Sequence, residues 1–129
     1  MSAEPTQPIL SEDYPTAEAA LSTALAQKDI PALQAALGQR SYLLKTRAAA
    51  ALGTSGQVDS VPKLRDCLAK HKMLIFGGTE QQLDHAQLVH TLVEALEKLT
   101  GQDFGSVNPD SVEAIEAVLT QVDRWLTTQ

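Results

Sequence analysis

Two stretches of this chain share one pattern in one register. Residues 30–37 read I-P-A-L-Q-A-A-L and residues 61–68 read V-P-K-L-R-D-C-L. Both fit apolar-Pro-x-Leu-x-x-x-Leu, and the second begins thirty-one positions after the first (30 to 61). A proline in the first turn of a helix sacrifices no hydrogen bond, and leucines four apart share one helix face. A helix that recurs at such a period marks helix pairs stacked into a solenoid, each pair burying its apolar face on the next.

Helical spacing continues through the rest of the chain and predicts six helices in three pairs, about 16–38, 41–72 and 79–128, with no competing strand pattern. Residues 1–15 hold Pro5, Pro8 and Pro15 and read as a flexible N-terminal arm, with Ile9, Leu10 and Tyr14 available to dock on the body. Thr16 is expected to cap the first helix, which carries Leu21 and Leu25 on one face. Asp29 caps the second, Pro31 lies in its first turn, and Gly38 stops it. Ser41 opens a third helix to Leu52 through K-T-R-A-A-A-A-L, whose alanines permit close approach, with Gly53 and Gly56 ending it. A fourth, about Asp59 to Lys70, buries Val61, Leu64 and Leu68. The apolar run Met73-Leu74-Ile75-Phe76, then Gly77-Gly78, interrupts before Thr79 caps the fifth. There Ala86, Val89, Leu92, Val93, Leu96 and Leu99 keep helical spacing. N-P-D-S at 108–111 caps the sixth, in which Val112, Ile115, Leu119, Val122 and Leu126 face one way.

Only five residues are aromatic (Tyr14, Tyr42, Phe76, Phe104, Trp125), so the core must be built from Ala, Leu and Val, which suits closely packed helices. Trp125 is expected in the last helix interface. Ten basic against sixteen acidic residues give a charge of −6, which disfavours phosphate binding and with it a nucleic-acid role. No apolar run approaches the ~20 residues of a membrane span. The opening M-S-A-E-P-T-Q-P has no secretory pattern, so a cytoplasmic protein is expected. Cys67 is the one cysteine and reads as a small core residue. His90 and Glu94 share a helix face but lack a third ligand, and Gly77-Gly78-Thr79 lacks the lysine of a nucleotide loop. Neither a metal nor a cofactor is expected, and no catalytic residue is singled out.

The stretch L44-K45-T46-R47-A48-A49-A50-A51-L52-G53, followed by G56 to L68, resembles the bacterial HEAT repeat of the phycobilisome-lyase type. That family's helix pair reads V-R-x-x-A-A-x-A-L-G, a Gly-Asp turn, then A-V-P-x-L-x-x-A-L. The run A95 to G105, containing L-T-G-Q-D-F-G, resembles the closing repeat of small bacterial HEAT proteins, often followed by a helix bearing a Trp. The resemblance implies an all-α fold, a short α-solenoid of about three HEAT-like helix pairs. It also implies a binding scaffold, since most such proteins bind partners along their second helices. Some resemble bilin lyases; others act on alkylated DNA with a basic, aromatic-lined groove that this acidic chain lacks. Two positions depart from the family: Gln57 and Gln39 stand where aspartates usually tie neighbouring turns together, so looser stacking is expected.

One local feature stands out against the acidic background. Lys63, Arg65, Lys70 and Lys72, with Asp66 as the one acid and His71 among them, carry a local charge of +3. Such a strip either offsets its neighbours as a solvated face or steers an acidic partner. The neighbouring run from Met73 to Phe76 either tucks between the second and third pairs as core or docks into a partner beside the strip, and that adjacency is the ground for the second reading. The expected function is a non-catalytic adaptor or regulatory subunit that binds another protein of acidic or mixed surface. The expected contacts are Lys63, Arg65, Lys70, His71, Lys72, Met73 and Phe76. A bilin-lyase-like enzyme or pigment chaperone is the alternative. A third reading is a self-associating oligomer, with a homodimer formed through an uncapped solenoid end.

Overall fold

The computed structural model describes residues 14–39, 41–71 and 79–129. They form six α-helices, α1 (Tyr14–Gln27), α2 (Ile30–Ala36), α3 (Tyr42–Ser55), α4 (Val61–His71), α5 (Thr79–Thr100) and α6 (Val112–Thr127), and no strand. The fold is all-α, a short helical-repeat solenoid.

Local chemistry sets the helix ends. The Asp29 carboxylate accepts from Ala32 N at 3.3 Å, Ser41 Oγ from Leu44 N at 3.2 Å, and Ser111 Oγ from Ala114 N at 3.1 Å. Each cap satisfies an amide that the first turn leaves open, worth about 1 kcal/mol. Gly56 ends α3 in the left-handed region at φ 76°. Two ends differ from expectation. Helix α1 begins at Tyr14 rather than after Thr16, because Pro15 falls in the first turn, where its missing N–H costs nothing. The arm expected over 1–15 otherwise lies outside the described residues. Residues Val58–Ser60 wind as a 3-10 turn, and α4 proper starts at Val61 with Pro62 in its first turn.

Contacts between helices give the stacking. Tyr42 lies beside His85 near the starts of α3 and α5, and Gly53 meets Ala95 toward their ends, so these two helices run side by side in one direction. The start of α3 also touches the end of α4, where Lys45 meets His71, so this pair runs in opposite directions. In the second layer α2 meets the α4 region through Gln34 Nε2 donating to Ser60 Oγ at 3.1 Å, and Cys67 Sγ lies 3.9 Å from Leu37 O. Arg65 carries α4 to Asp123 of α6. First helices stack on first helices and second on second, as a solenoid requires.

The core is one cluster of Leu, Val and Ala running through all six helices, including Leu44, Leu52, Leu64, Leu88, Leu92, Leu96 and Ile115. Cys67 is buried in it. Trp125 is half-buried and packs on the core from α6. Gly53, expected to end the third helix, lies inside α3 and is buried. A Cβ built there would stand 2.8 Å from Ala95 Cα and Cβ. Backbone atoms cannot swing aside as a side-chain tip can.

Looser stacking was expected from Gln39 and Gln57. Gln57 is exposed, and the Gln34–Ser60 bond links α2 to the 3-10 turn before α4. Gln39 is buried, and its Nε2 has no hydrogen-bond partner among the described residues.

Replacing Gly53 with Ala should raise helix propensity by about 1 kcal/mol yet lower stability by about 1–2 kcal/mol net, because overpacking outweighs it. Urea unfolding measures the difference. A Gly53→Ala chain as stable as wild type would show that α3 and α5 do not approach this closely.

Candidate functional site

Helix α4 is amphipathic. It turns Val61, Leu64, Cys67, Leu68 and His71 inward and leaves Lys63, Asp66 and Lys70 exposed. Lys63 and Lys70 make no ion pair among the described residues. Arg65 is engaged: its Nε donates to Asp123 Oδ1 at 2.9 Å and its Nη2 to Oδ2 at 3.0 Å, a two-pronged bond to α6. Those hydrogen bonds raise the Arg65 pKa further. Its third donor reaches Asp66 at 3.4 Å. Of the expected strip, then, Lys63 and Lys70 stand free, while Arg65 shares its face with a structural role. Lys72, Met73 and Phe76 lie outside the described residues.

His71 corrects the expectation. It is 1% exposed and is no part of the outer face. One turn of an α-helix carries 3.6 residues; stepping by three and four from Leu64 and Leu68 therefore brings His71 onto the buried stripe.

What His71 meets there is a polar cluster that the strip reading passed over. Its Nε2 lies 2.9 Å from Lys45 Nζ of α3. Its carbonyl is 2.8 Å from His85 Nε2 of α5. Tyr42 stands edge-on to both rings, 5.5 Å from His71 and 6.4 Å from His85, and the Lys45 ammonium lies 5.5 Å from the Tyr42 centroid. An ammonium has only donors, so His71 Nε2 accepts and its proton resides on Nδ1. That Nδ1 is buried and has no partner among the described residues. His85 in turn donates through Nε2 to the His71 carbonyl.

Burial dominates the electrostatics. It pushes His71 down to about 4, helped by the positive charge of Lys45 and by His85 and Lys70. Lys45, 9% exposed, is lowered below the ordinary lysine value by burial first, with Cys67 opposing and Lys70 adding. Burial pushes the Cys67 thiol up to about 11 against both lysines, so it sits as an unreactive thiol in the core. Lys45 was legible in principle. It lies one turn before Ala48 and Ala49 and two before Leu52, on the stripe that α3 buries.

The remaining concavities are shallower in chemistry. His90 and Glu94 line an open groove with Glu97 and Val107, and among the described residues no group of three metal-ligating side chains comes together. A second groove of about 580 Å³ runs between α1, α2 and α3 over Leu25, Ile30, Leu33 and Ala51. No helix among the described residues is long and apolar enough to cross a membrane.

Residues 44–70, which span nearly all of α3 and α4, match the protein-family model of the PBS lyase HEAT-like repeat. The middle helix pair is a HEAT-like repeat. Neither the curated proteins nor the solved structures gave a match. The HEAT-like repeat holds Lys45, Lys63, Arg65 and Lys70, so the cluster and the free strip both belong to it.

The pH dependence of His71 has a definite sign. Unfolded, it takes up a proton near 6.5; folded, it resists until about 4. The stability this contributes is complete above about 6.5 and is lost as pH falls toward 4, on the order of 3 kcal/mol in all. Urea midpoints for wild type should therefore fall between pH 7 and pH 4.5. A Lys45→Met chain should show a His71 pKa, followed by NMR of the ring protons, that moves upward but stays below 6.5, because burial outweighs the lysine. An unchanged value would mean that Lys45 does not face the ring.

Proposed function

We propose that this chain is a non-catalytic protein-binding module, an adaptor or regulatory subunit, that receives an acidic partner surface on the outer face of α4. The observation that carries this is the state of Lys63 and Lys70: both exposed, both on one face, and neither in an ion pair among the described residues. In a chain of net charge −6, two uncompensated cations on one helix form a local positive field. Such a field guides association and sets orientation more than it adds affinity. Arg65, two residues after Lys63, lies on the other flank of α4, where Asp123 of α6 holds its guanidinium. The HEAT-like repeat supports a helical-repeat binding surface by analogy of fold, and the charge pattern of this particular helix is what points to an acidic partner.

Charge reversal tests the reading. Lys63→Glu with Lys70→Glu, two exposed positions, should leave helicity unchanged. A partner retained by wild type in affinity capture should be lost by the variant, and its association rate with wild type should fall steeply with salt. Retention of the same partner by both proteins would place the binding surface elsewhere.

A further inference from the structure

Lys45 is a cation set into the interface of three helices, and the described groups that meet it are neutral. Its ammonium meets the imidazole of His71 at 2.9 Å and the ring of Tyr42 at 5.5 Å. The ion pairs among the described residues join Arg47 to Glu18 and Arg65 to Asp66 and Asp123, and none reaches Lys45. Lysines this buried are ordinarily paired with a carboxylate, because an unpaired charge out of water costs several kcal/mol. An ammonium also has three donors, and among the described residues Lys45 uses one.

The groups beside it repeat the imbalance. His71 Nδ1 is a second buried donor without a described acceptor. Lys70, the residue before His71, adds a second positive charge at the same end of α4, this one in solvent. His85 brings no negative charge, since its Nε2 donates to the His71 carbonyl. Cys67, close enough to feel both lysines, is held as a neutral thiol. Among the described residues the cluster is rich in donors and poor in acceptors, with Lys45 buried in it and Lys70 exposed beside it.

We infer that Lys45 and Lys70 receive a carboxylate, the Asp or Glu side chain of the acidic protein partner, with Lys45 as its buried anchor. A carboxylate fits better than a phosphate. One negative charge balances the one buried ammonium, whereas a dianion would carry an excess charge into a site whose His71 and Tyr42 are neutral. Charge-assisted bonds of this kind are about twice as strong as neutral ones. The inference rests on the reading that α4 meets an acidic partner and adds which lysine anchors it.

The test uses the full chain and acetate as probe. Wild type is titrated with sodium acetate against sodium chloride at equal ionic strength, following the Lys45 ammonium signal and the His71 ring protons by NMR. The expected result is a saturable, acetate-specific shift at both, with the His71 titration moving to higher pH as the anion offsets the nearby positive charge. Lys45→Met should abolish saturation. Lys70→Met, at an exposed position that cannot disturb the core, should weaken it about tenfold, the equivalent of one charge-assisted bond. A shift that is linear in acetate and equal to that with chloride overturns the proposal, as does saturation that survives in Lys45→Met. Saturation by inorganic phosphate without acetate overturns the assignment of the ligand. The Lys63→Glu chain separates the two readings. If it keeps saturable acetate binding but loses the partner, both stand. If it keeps both, the carboxylate site stands and the outer-face partner reading falls.

Discussion

The approach of α3 to α5 at Gly53 sets the spacing on which the rest depends. A solenoid of three pairs has no closed core, so each layer is held only by the next. The middle pair is the one with a neighbour on either side, and its first helix must lie close to both. Helix α3 meets that demand with a face of Ala48, Ala49, Leu52 and Gly53, all buried. Where the backbone of α3 has no Cβ, Ala95 fills the space. That closeness lets Leu88, Leu92 and Leu96 of α5 go fully out of water against α3 and α4. One added methyl at Gly53 would lever the two helices apart and reopen part of this surface along their length.

The same alignment makes the polar cluster. Because α3 and α5 run in one direction and α4 runs against them, the first turn of α3, the last turn of α4 and the early part of α5 share one edge. Tyr42, Lys45, His71 and His85 come from those three places. Gly53 and Ala95 hold the opposite end. The apolar end thus fixes the distance at which the polar end works: a wider α3–α5 spacing would lengthen the 6.4 Å approach of Tyr42 to the His85 ring.

Much of this fold was legible because repeat and capping signals are local. Asp29, Ser41 and Ser111 each cap as their sequence context predicts, and the apolar-Pro-x-Leu pattern marked α2 and α4 before any contact was known. Gly53 was legible as special but not for the right reason. A glycine after A-L reads as a helix end, and only the partner helix shows that it is a point of contact. The site was legible in part. Counting charge along α4 marked Lys63 and Lys70, which the fold leaves exposed, but charge alone cannot say which side of a helix a histidine takes or that Arg65 has a partner 58 residues away in Asp123. Lys45 escaped because lysine is read as a surface residue by default, even at a position whose spacing to Ala48, Ala49 and Leu52 puts it inside.

Arg65 and the lysines around it show how one helix divides its cations by geometry. The guanidinium fork matches both oxygens of Asp123 and is therefore suited to fastening α4 to α6. Lys63 and Lys70 carry compact charges on flexible stems, and no carboxylate among the described residues fastens them. Lys45 belongs to neither class. Its burial lowers the affinity of its own amine for a proton, and its charge adds to what burial does to His71, so the folded state carries an electrostatic cost that the apolar contacts must exceed. A negative group arriving at this edge would remove part of that cost. Whatever binds the folded form alone stabilises it in proportion to its affinity. Stability and the occupancy of this edge by an anion would in this way be coupled through one lysine.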